Sequence, residues 1–131
     1  MKTACLITSL LLTPVLTQAA DIESLLEGYR SAGATTFSAA QGMRLWSATS
    51  TIDGEQRACS SCHTDDPASP GRHAKTGKPI EPMAASVNPA RFSDAAKVEK
   101  WFRRNCKWTL DRECTPQEKG DLLTWLNTGQ E

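Results

Sequence analysis

The chain has 131 residues, room for a single domain, and its 15 Lys and Arg balance 15 Asp and Glu. Zero formal charge excludes the basic excess of a nucleic-acid-binding protein. Only 39% of residues are hydrophobic and 6% aromatic, yet there are five cysteines and four tryptophans, so a cofactor or a disulfide is expected to supplement a thin core.

Residues 1–20 read as a Sec-type signal peptide. Met1-Lys2 gives a positive start, Leu6 to Leu16 is apolar, and the small residues Thr17, Ala19 and Ala20 place cleavage after Ala19 or Ala20. The apolar run is too short to span a bilayer, so the mature form, residues 21–131, is one exported domain that is not membrane-spanning. Asp21 to Arg30, with Ile22, Leu25, Leu26 and Tyr29 on one face, predicts a short amphipathic helix. Ser38-Ala39-Ala40-Gln41 is a capping box opening a second helix through about Ser47, which carries Gly42, Leu45 and Trp46. A loop at Asp53-Gly54 follows. Asp65 to Pro89 is proline-rich and reads as irregular, a length that calls for a function such as wrapping a cofactor edge. Ser93 is expected to cap a helix from Asp94 to about Asn105. Thr115-Pro116-Gln117-Glu118 opens the last helix, which runs to about Asn127 with Gly129 as its stop. No segment alternates as a strand, and the expected fold class is all-α.

The chemistry is concentrated in Cys59-Ser60-Ser61-Cys62-His63. C-x-x-C-H is the attachment motif of c-type haem. Two thiols one helical turn apart each form a thioether to a haem vinyl group, and the next residue offers its imidazole to the iron. A redox dithiol needs a βαβ context and a zinc site needs a second ligand pair, and neither is visible. Cys106 and Cys114 are left over, eight apart; export favours a bridge between them, and two free thiols are the alternative. The chain therefore reads as a periplasmic protein carrying one covalent haem c.

Three residues compete for the sixth iron position. Met83 lies in the irregular segment and offers a thioether sulfur, or only fills an apolar gap. His73 would give a bis-histidine site but sits in the hydrophilic stretch Arg72-His73-Ala74-Lys75. Asn105 continues the stripe of Ala95, Val98, Trp101 and Phe102. It is either an amide seeking a partner on that face or a helix C-cap.

The motif and the helices resemble class I cytochromes c, which implies an all-α class I fold of about five helices in which Gly42, Trp46 and Trp125 meet at a helix crossing. Lys75-Thr76-Gly77-Lys78, the run Arg91 to Trp101, Arg104-Asn105-Cys106 and Arg112-Glu113-Cys114-Thr115-Pro116 are more specific. They resemble the sphaeroides haem protein (SHP) group of high-spin monohaem cytochromes c. That resemblance implies His63 as proximal iron ligand, Asn105 as a redox-labile distal ligand and a Cys106–Cys114 disulfide. It also implies electron donors, a dihaem cytochrome c or a membrane cytochrome b, and a diatomic ligand, O2 or NO. Leucine is usual in that family where this chain has Met83, a departure that keeps Met83 as the alternative ligand.

Two other functions stand beside this one. With Met83 bound, the protein is an ordinary low-spin electron carrier; with turnover, it is a small O2 or NO reductase. No general acid, base or second metal site stands out, so a non-enzymatic electron-transfer and ligand-binding role is favoured. Gly71 to Lys107 holds nine basic and three acidic residues, while the flanking segments are net acidic. That basic middle either steers an acidic redox partner or is a solvated helix face.

Overall fold

The computed structural model describes residues 19–128. The signal segment lies outside the described residues apart from its last two positions, and Gly129, the expected stop, lies outside them as well. Five α-helices form: α1 (Ala19–Ser31), α2 (Ala39–Ser47), α3 (Ser60–His63), α4 (Ala95–Leu110) and α5 (Pro116–Thr128). Two two-stranded antiparallel hairpins, β1 (Ser50–Ile52) with β2 (Glu55–Arg57) and β3 (Gly71–Arg72) with β4 (Pro79–Ile80), lie between α2 and α4. These hairpins correct the expectation that no segment forms a strand; strands of two or three residues leave the fold a five-helix one. Asp53 and Gly54 both take positive φ, 54° and 78°, the two-residue turn whose twist matches antiparallel strands, so the expected loop is a hairpin tip.

The core gathers where α2 crosses α5. A Cβ on Gly42 would lie 2.2 Å from the Asp121 carbonyl oxygen and 2.9 Å from Trp125 Cβ, so the two backbones approach only because that position has no side chain. Trp46 packs edge-on against Trp125 with ring centroids 5.1 Å apart, and Leu122, Leu123 and Leu126 fill the remainder. Asp121, buried in the crossing, accepts from the Ser38 backbone N–H at 2.8 Å and from Gln117 Nε2 at 2.9 Å, which anchors the start of α2. The glycine–aromatic crossing is thus present.

Helix α1 carries Leu25, Leu26 and Tyr29 into the same core. The Tyr29 hydroxyl donates to Glu99 of α4, and Lys119 of α5 donates to the other Glu99 oxygen at 2.7 Å, so one carboxylate joins three helices. Burial alone would push the Glu99 carboxyl up, but the hydrogen bonds from Lys119 and Tyr29 outweigh it and hold it below the usual carboxylate range. Burial, reinforced by Glu99, pushes the Tyr29 phenol well above its ordinary value.

The helix starts follow their local signals with two exceptions: at α2 the Ser38 side chain accepts from the Gln41 N–H at 3.3 Å, but the Ser38 N–H goes to Asp121 rather than to the Gln41 side chain, so only half of the expected capping box forms. Thr115 Oγ1 accepts from the Glu118 N–H and Glu118 Oε2 accepts from the Thr115 N–H, a complete capping box. At α4 the cap is Asp94, whose carboxylate accepts from the Lys97 N–H at 2.9 Å; Ser93 instead closes the preceding 3₁₀ turn Pro89–Phe92. Helix α4 also continues five residues beyond Asn105, to Leu110. Asn105 is consequently an interior residue of the helix, and its reading as a C-cap is excluded. The extension is held from outside: Cys106 is bridged to Cys114, Arg57 Nη1 donates to the Trp108 carbonyl and stacks on its ring, and Thr109 is buried.

Candidate haem site

One cleft of about 970 Å³ opens between α3, the 71–91 segment and α4, within the ~300–1,000 Å³ range of cofactor sites. Its floor is apolar, with Trp46, Val98, Phe102, Leu122 and Leu126. Cys59, Cys62 and His63 enter it from α3, which is one turn long and follows directly on the β1–β2 hairpin. Both cysteines are unpaired and half-buried. The Trp46 indole N–H donates to the Thr64 carbonyl at 2.8 Å and its ring lies 5.3 Å from the His63 imidazole, fixing the end of α3 against the core.

The second hairpin braces the motif from the other side. A Cβ on Gly71 would meet the Cys62 carbonyl oxygen at 2.1 Å and His63 Cα at 2.9 Å, so β3 lies directly on the attachment turn. The Ala74 N–H points to Cys62 Sγ at 3.4 Å. Neither Gly71 nor Ala74 was singled out by sequence, because their role depends on a backbone approach that no spacing announces.

These residues fit a c-type haem. His63 Nδ1 is buried with no hydrogen-bond partner among the described residues, and burial, with the Arg91 charge second, pushes the imidazole down to about 4. The ring is therefore neutral at physiological pH, the form that ligates iron. Burial likewise pushes the Cys59 thiol up to about 11. When bound, the haem supplies an iron that changes oxidation state and accepts axial ligands. Cys59 and Cys62 are the residues that would hold it covalently and His63 the one that would ligate it.

The structure brings all three sixth-ligand candidates to this cleft, in different conditions. Met83 Sδ already accepts from Arg91 Nε at 3.0 Å and from Arg91 Nη2 at 2.8 Å. His73 Nδ1 accepts from the backbone N–H groups of Thr76 at 3.2 Å and Lys75 at 3.3 Å, closing the β3–β4 turn. The Asn105 side chain makes no hydrogen bond to the described residues and is exposed on the cleft wall. Cys106 and Cys114 are joined in a disulfide directly beside it. Seven basic side chains line the cleft, among them Lys97, Arg103, Arg104 and Lys107, against two acidic ones, Glu81 and Glu113.

Fold and site together define a monohaem c-type cytochrome. Residues 32–126 match the family model described as a domain of unknown function, DUF1924. The chain is 38% identical to cytochrome c-type protein SHP of Cereibacter sphaeroides over 122 residues, 92% of this chain and 94% of that one. It is 44% identical to cytochrome c'' of Methylophilus methylotrophus over 78 residues, 60% of this chain and 54% of that one. Among solved structures, oxidised SHP, described as an oxygen-binding cytochrome c, superposes with a TM-score of 0.75 at 40% identity, covering 81% of this chain and 95% of that one. Oxidised cytochrome c'' gives 0.73 at 36%, covering 83% and 94%. The chain belongs to the SHP family of high-spin monohaem cytochromes c, with one covalently bound haem c. Its fold is the one shared with SHP and cytochrome c'', a class distinct from the standard class I cytochrome c fold expected from the sequence. That class I assignment rested on a glycine and aromatics at a helix crossing. The crossing exists here within the SHP fold, so it does not discriminate between the two.

Proposed function

We propose that residues 21–131, exported by the segment 1–20, act in the periplasm as a ligand-binding electron-transfer protein rather than an enzyme with turnover. Cys59 and Cys62 hold the haem as thioethers, His63 is the proximal ligand and Asn105 the distal one. The observation that carries this reading is the state of the three candidate side chains. Asn105 alone is unengaged, in the interior of a helix fixed at both ends, whereas Met83 Sδ and His73 Nδ1 are committed to protein donors. An amide oxygen is a hard donor, better matched to ferric than to ferrous iron. Asn105 therefore lets go on reduction and frees a position for O2 or NO, in keeping with the oxygen binding described for SHP.

The basic lining of the cleft supports an acidic redox partner as electron donor, a dihaem cytochrome c or a membrane cytochrome b. Among the described residues no helix is long and apolar enough to cross a membrane. The test is the optical spectrum of the holoprotein, oxidised and reduced, with carbon monoxide added to the reduced form. The expected result is a high-spin reduced spectrum that shifts promptly with carbon monoxide. A low-spin spectrum in both states, with a sulfur-to-iron charge-transfer band and no response, would assign Met83 instead.

A further inference from the structure

Of the seven basic side chains that line the haem cleft, six are exposed: Lys75, Lys78, Lys97, Arg103, Arg104 and Lys107. Arg91 alone is half-buried. A guanidinium partly withdrawn from water needs acceptors for its five N–H groups and an anion for its charge. What the protein gives it is weak. Nε and Nη2 both donate to Met83 Sδ, at 3.0 Å and 2.8 Å, and Nη2 also donates to the Glu81 carbonyl at 3.2 Å. A thioether sulfur is a poor acceptor and carries no charge. Arg30, Arg57 and Arg112 each pair with a carboxylate, but among the described residues none lies within ion-pair distance of Arg91. Its Nη1 makes no hydrogen bond to the described residues.

The guanidinium is nevertheless held in place from both sides. Arg91 belongs to the 3₁₀ turn Pro89–Phe92, which Phe92, 4% exposed, pins to the core. Asn88, at the start of that turn, donates from Nδ2 to the Pro82 carbonyl at 3.1 Å. The Met83 side is fixed as well, since the backbone N–H groups of Met83 and Ala84 both donate to the Pro67 carbonyl, at 2.8 Å and 2.9 Å. Sulfur and carbonyl therefore orient the fork through Nε and Nη2 and leave Nη1 unengaged. The chemistry of a c-type haem answers that arrangement. Cys59 and Cys62 serve its vinyl groups, and His63 with a sixth ligand serves its iron. Its remaining polar groups are two propionates, anions that enter the cleft with it, and a guanidinium fork is the side chain best matched to a carboxylate.

We propose that Arg91 is a haem-binding residue whose Nη1 donates to a haem propionate, with its fork pre-oriented by Met83 Sδ and the Glu81 carbonyl. The inference rests on the attachment of haem at Cys59 and Cys62 and is independent of which residue takes the sixth iron position. It also gives Met83 a task in this cleft other than ligation. A cation beside the propionate favours the more negative, reduced haem, so Arg91 raises the reduction potential.

The test compares the wild-type holoprotein with Arg91→Gln, Arg91→Lys and Lys100→Gln, the last removing an equal charge from an exposed lysine outside the cleft lining. Two quantities are read on the isolated protein, with no redox partner present: the propionate bending mode in the resonance Raman spectrum and the reduction potential. The expected result is a shifted bending mode and a lowered potential for Arg91→Gln. Arg91→Lys keeps the charge but not the fork, and should shift the mode with a smaller fall in potential. Lys100→Gln should leave the mode in place. An unchanged mode in Arg91→Gln overturns the proposal, and so does an equal shift in Lys100→Gln, which would assign the effect to net charge. Because Arg91→Gln also frees the Met83 sulfur, the double variant Met83→Leu/Arg91→Gln is measured beside Met83→Leu; loss of the shift there assigns the effect to Met83 and overturns the proposal. Should Arg91→Gln fail to take up haem, Arg91→Lys carries the test, and an unchanged mode is again the overturning outcome. Failure of the attachment reading is seen separately, in an intact mass of the wild-type protein that lacks the increment of a covalently bound haem.

Discussion

Replacing both Cys106 and Cys114 by alanine should cost the holoprotein about 2.5 kcal/mol. The bridge closes a short loop, the two residues being eight apart, and the chain-entropy relation for a ring of that size gives that magnitude at 25 °C. Both cysteines are buried, 5% and 7% exposed, so the truncations also leave small voids that add to the loss rather than offset it. The bridge joins the penultimate turn of α4 to the residue preceding the Thr115 cap of α5, so its removal frees the segment that contains the Asp111 reversal. For a domain of this size the loss corresponds to a fall in Tm of roughly 10–20 °C. Urea denaturation of the ferric holoprotein, followed by far-UV circular dichroism, measures it directly. A loss under about 1 kcal/mol with an unchanged m-value would refute the reasoning, since it would mean that the loop is equally constrained without the bridge.

Gly42→Ala should destabilise by roughly 1–3 kcal/mol despite the better helix propensity of alanine, because its Cβ would meet the Asp121 backbone; a urea midpoint within error of wild type would contradict the crossing geometry. Glu99→Gln should cost ~1.5–3 kcal/mol near neutral pH, the range for hydrogen bonds to a charged group. Because the Glu99 pKa is depressed in the folded state, its contribution is present above the ordinary carboxylate pKa and is lost as pH falls through the folded value. Thermal melts across the acid range should therefore show a shallower acid limb in Glu99→Gln than in wild type, and parallel limbs would refute it. Met83→Leu should leave the ferric spin state unchanged, since Arg91 already occupies the sulfur; conversion of a low-spin to a high-spin spectrum would reverse the ligand assignment.

The attachment motif and the helix starts were legible because each is written in a few adjacent residues: Cys59 to His63, the Ser38 cap, and the Thr115–Glu118 box. The hairpins were not, because strands of two or three residues are too short to show alternation, and their pairing is set by Asp53-Gly54 at one tip and by the His73 ring at the other. The end of α4 was misplaced for a related reason. Cys106 to Leu110 has weak helix formers in Cys106, Trp108 and Thr109, and the helix ends on Asp111 in the left-handed region at φ 57° rather than on a glycine. What keeps that turn helical is Arg57, fifty residues away in β2, together with the disulfide. Local propensity cannot contain that information.

The five extra residues change the physical meaning of Asn105. A residue at a frayed helix end would adjust to the iron by local rearrangement, at little cost. Asn105 instead lies in the interior of a helix capped by Asp94, linked through Glu99 to α1 and α5, and bridged at Cys106. With Asn105 as the proposed distal ligand, its backbone would be unable to follow the iron, and release on reduction would fall to the exposed side chain, whose amide can turn about χ1 and χ2 without disturbing the core. On that assignment, a rigid helix presenting a weak, rotatable ligand would separate opening of the site from unfolding of the fold. In a chain with 39% hydrophobic residues, that separation would let the ligand be labile while the Trp46–Trp125 crossing and the three-helix carboxylate hold the remainder in place.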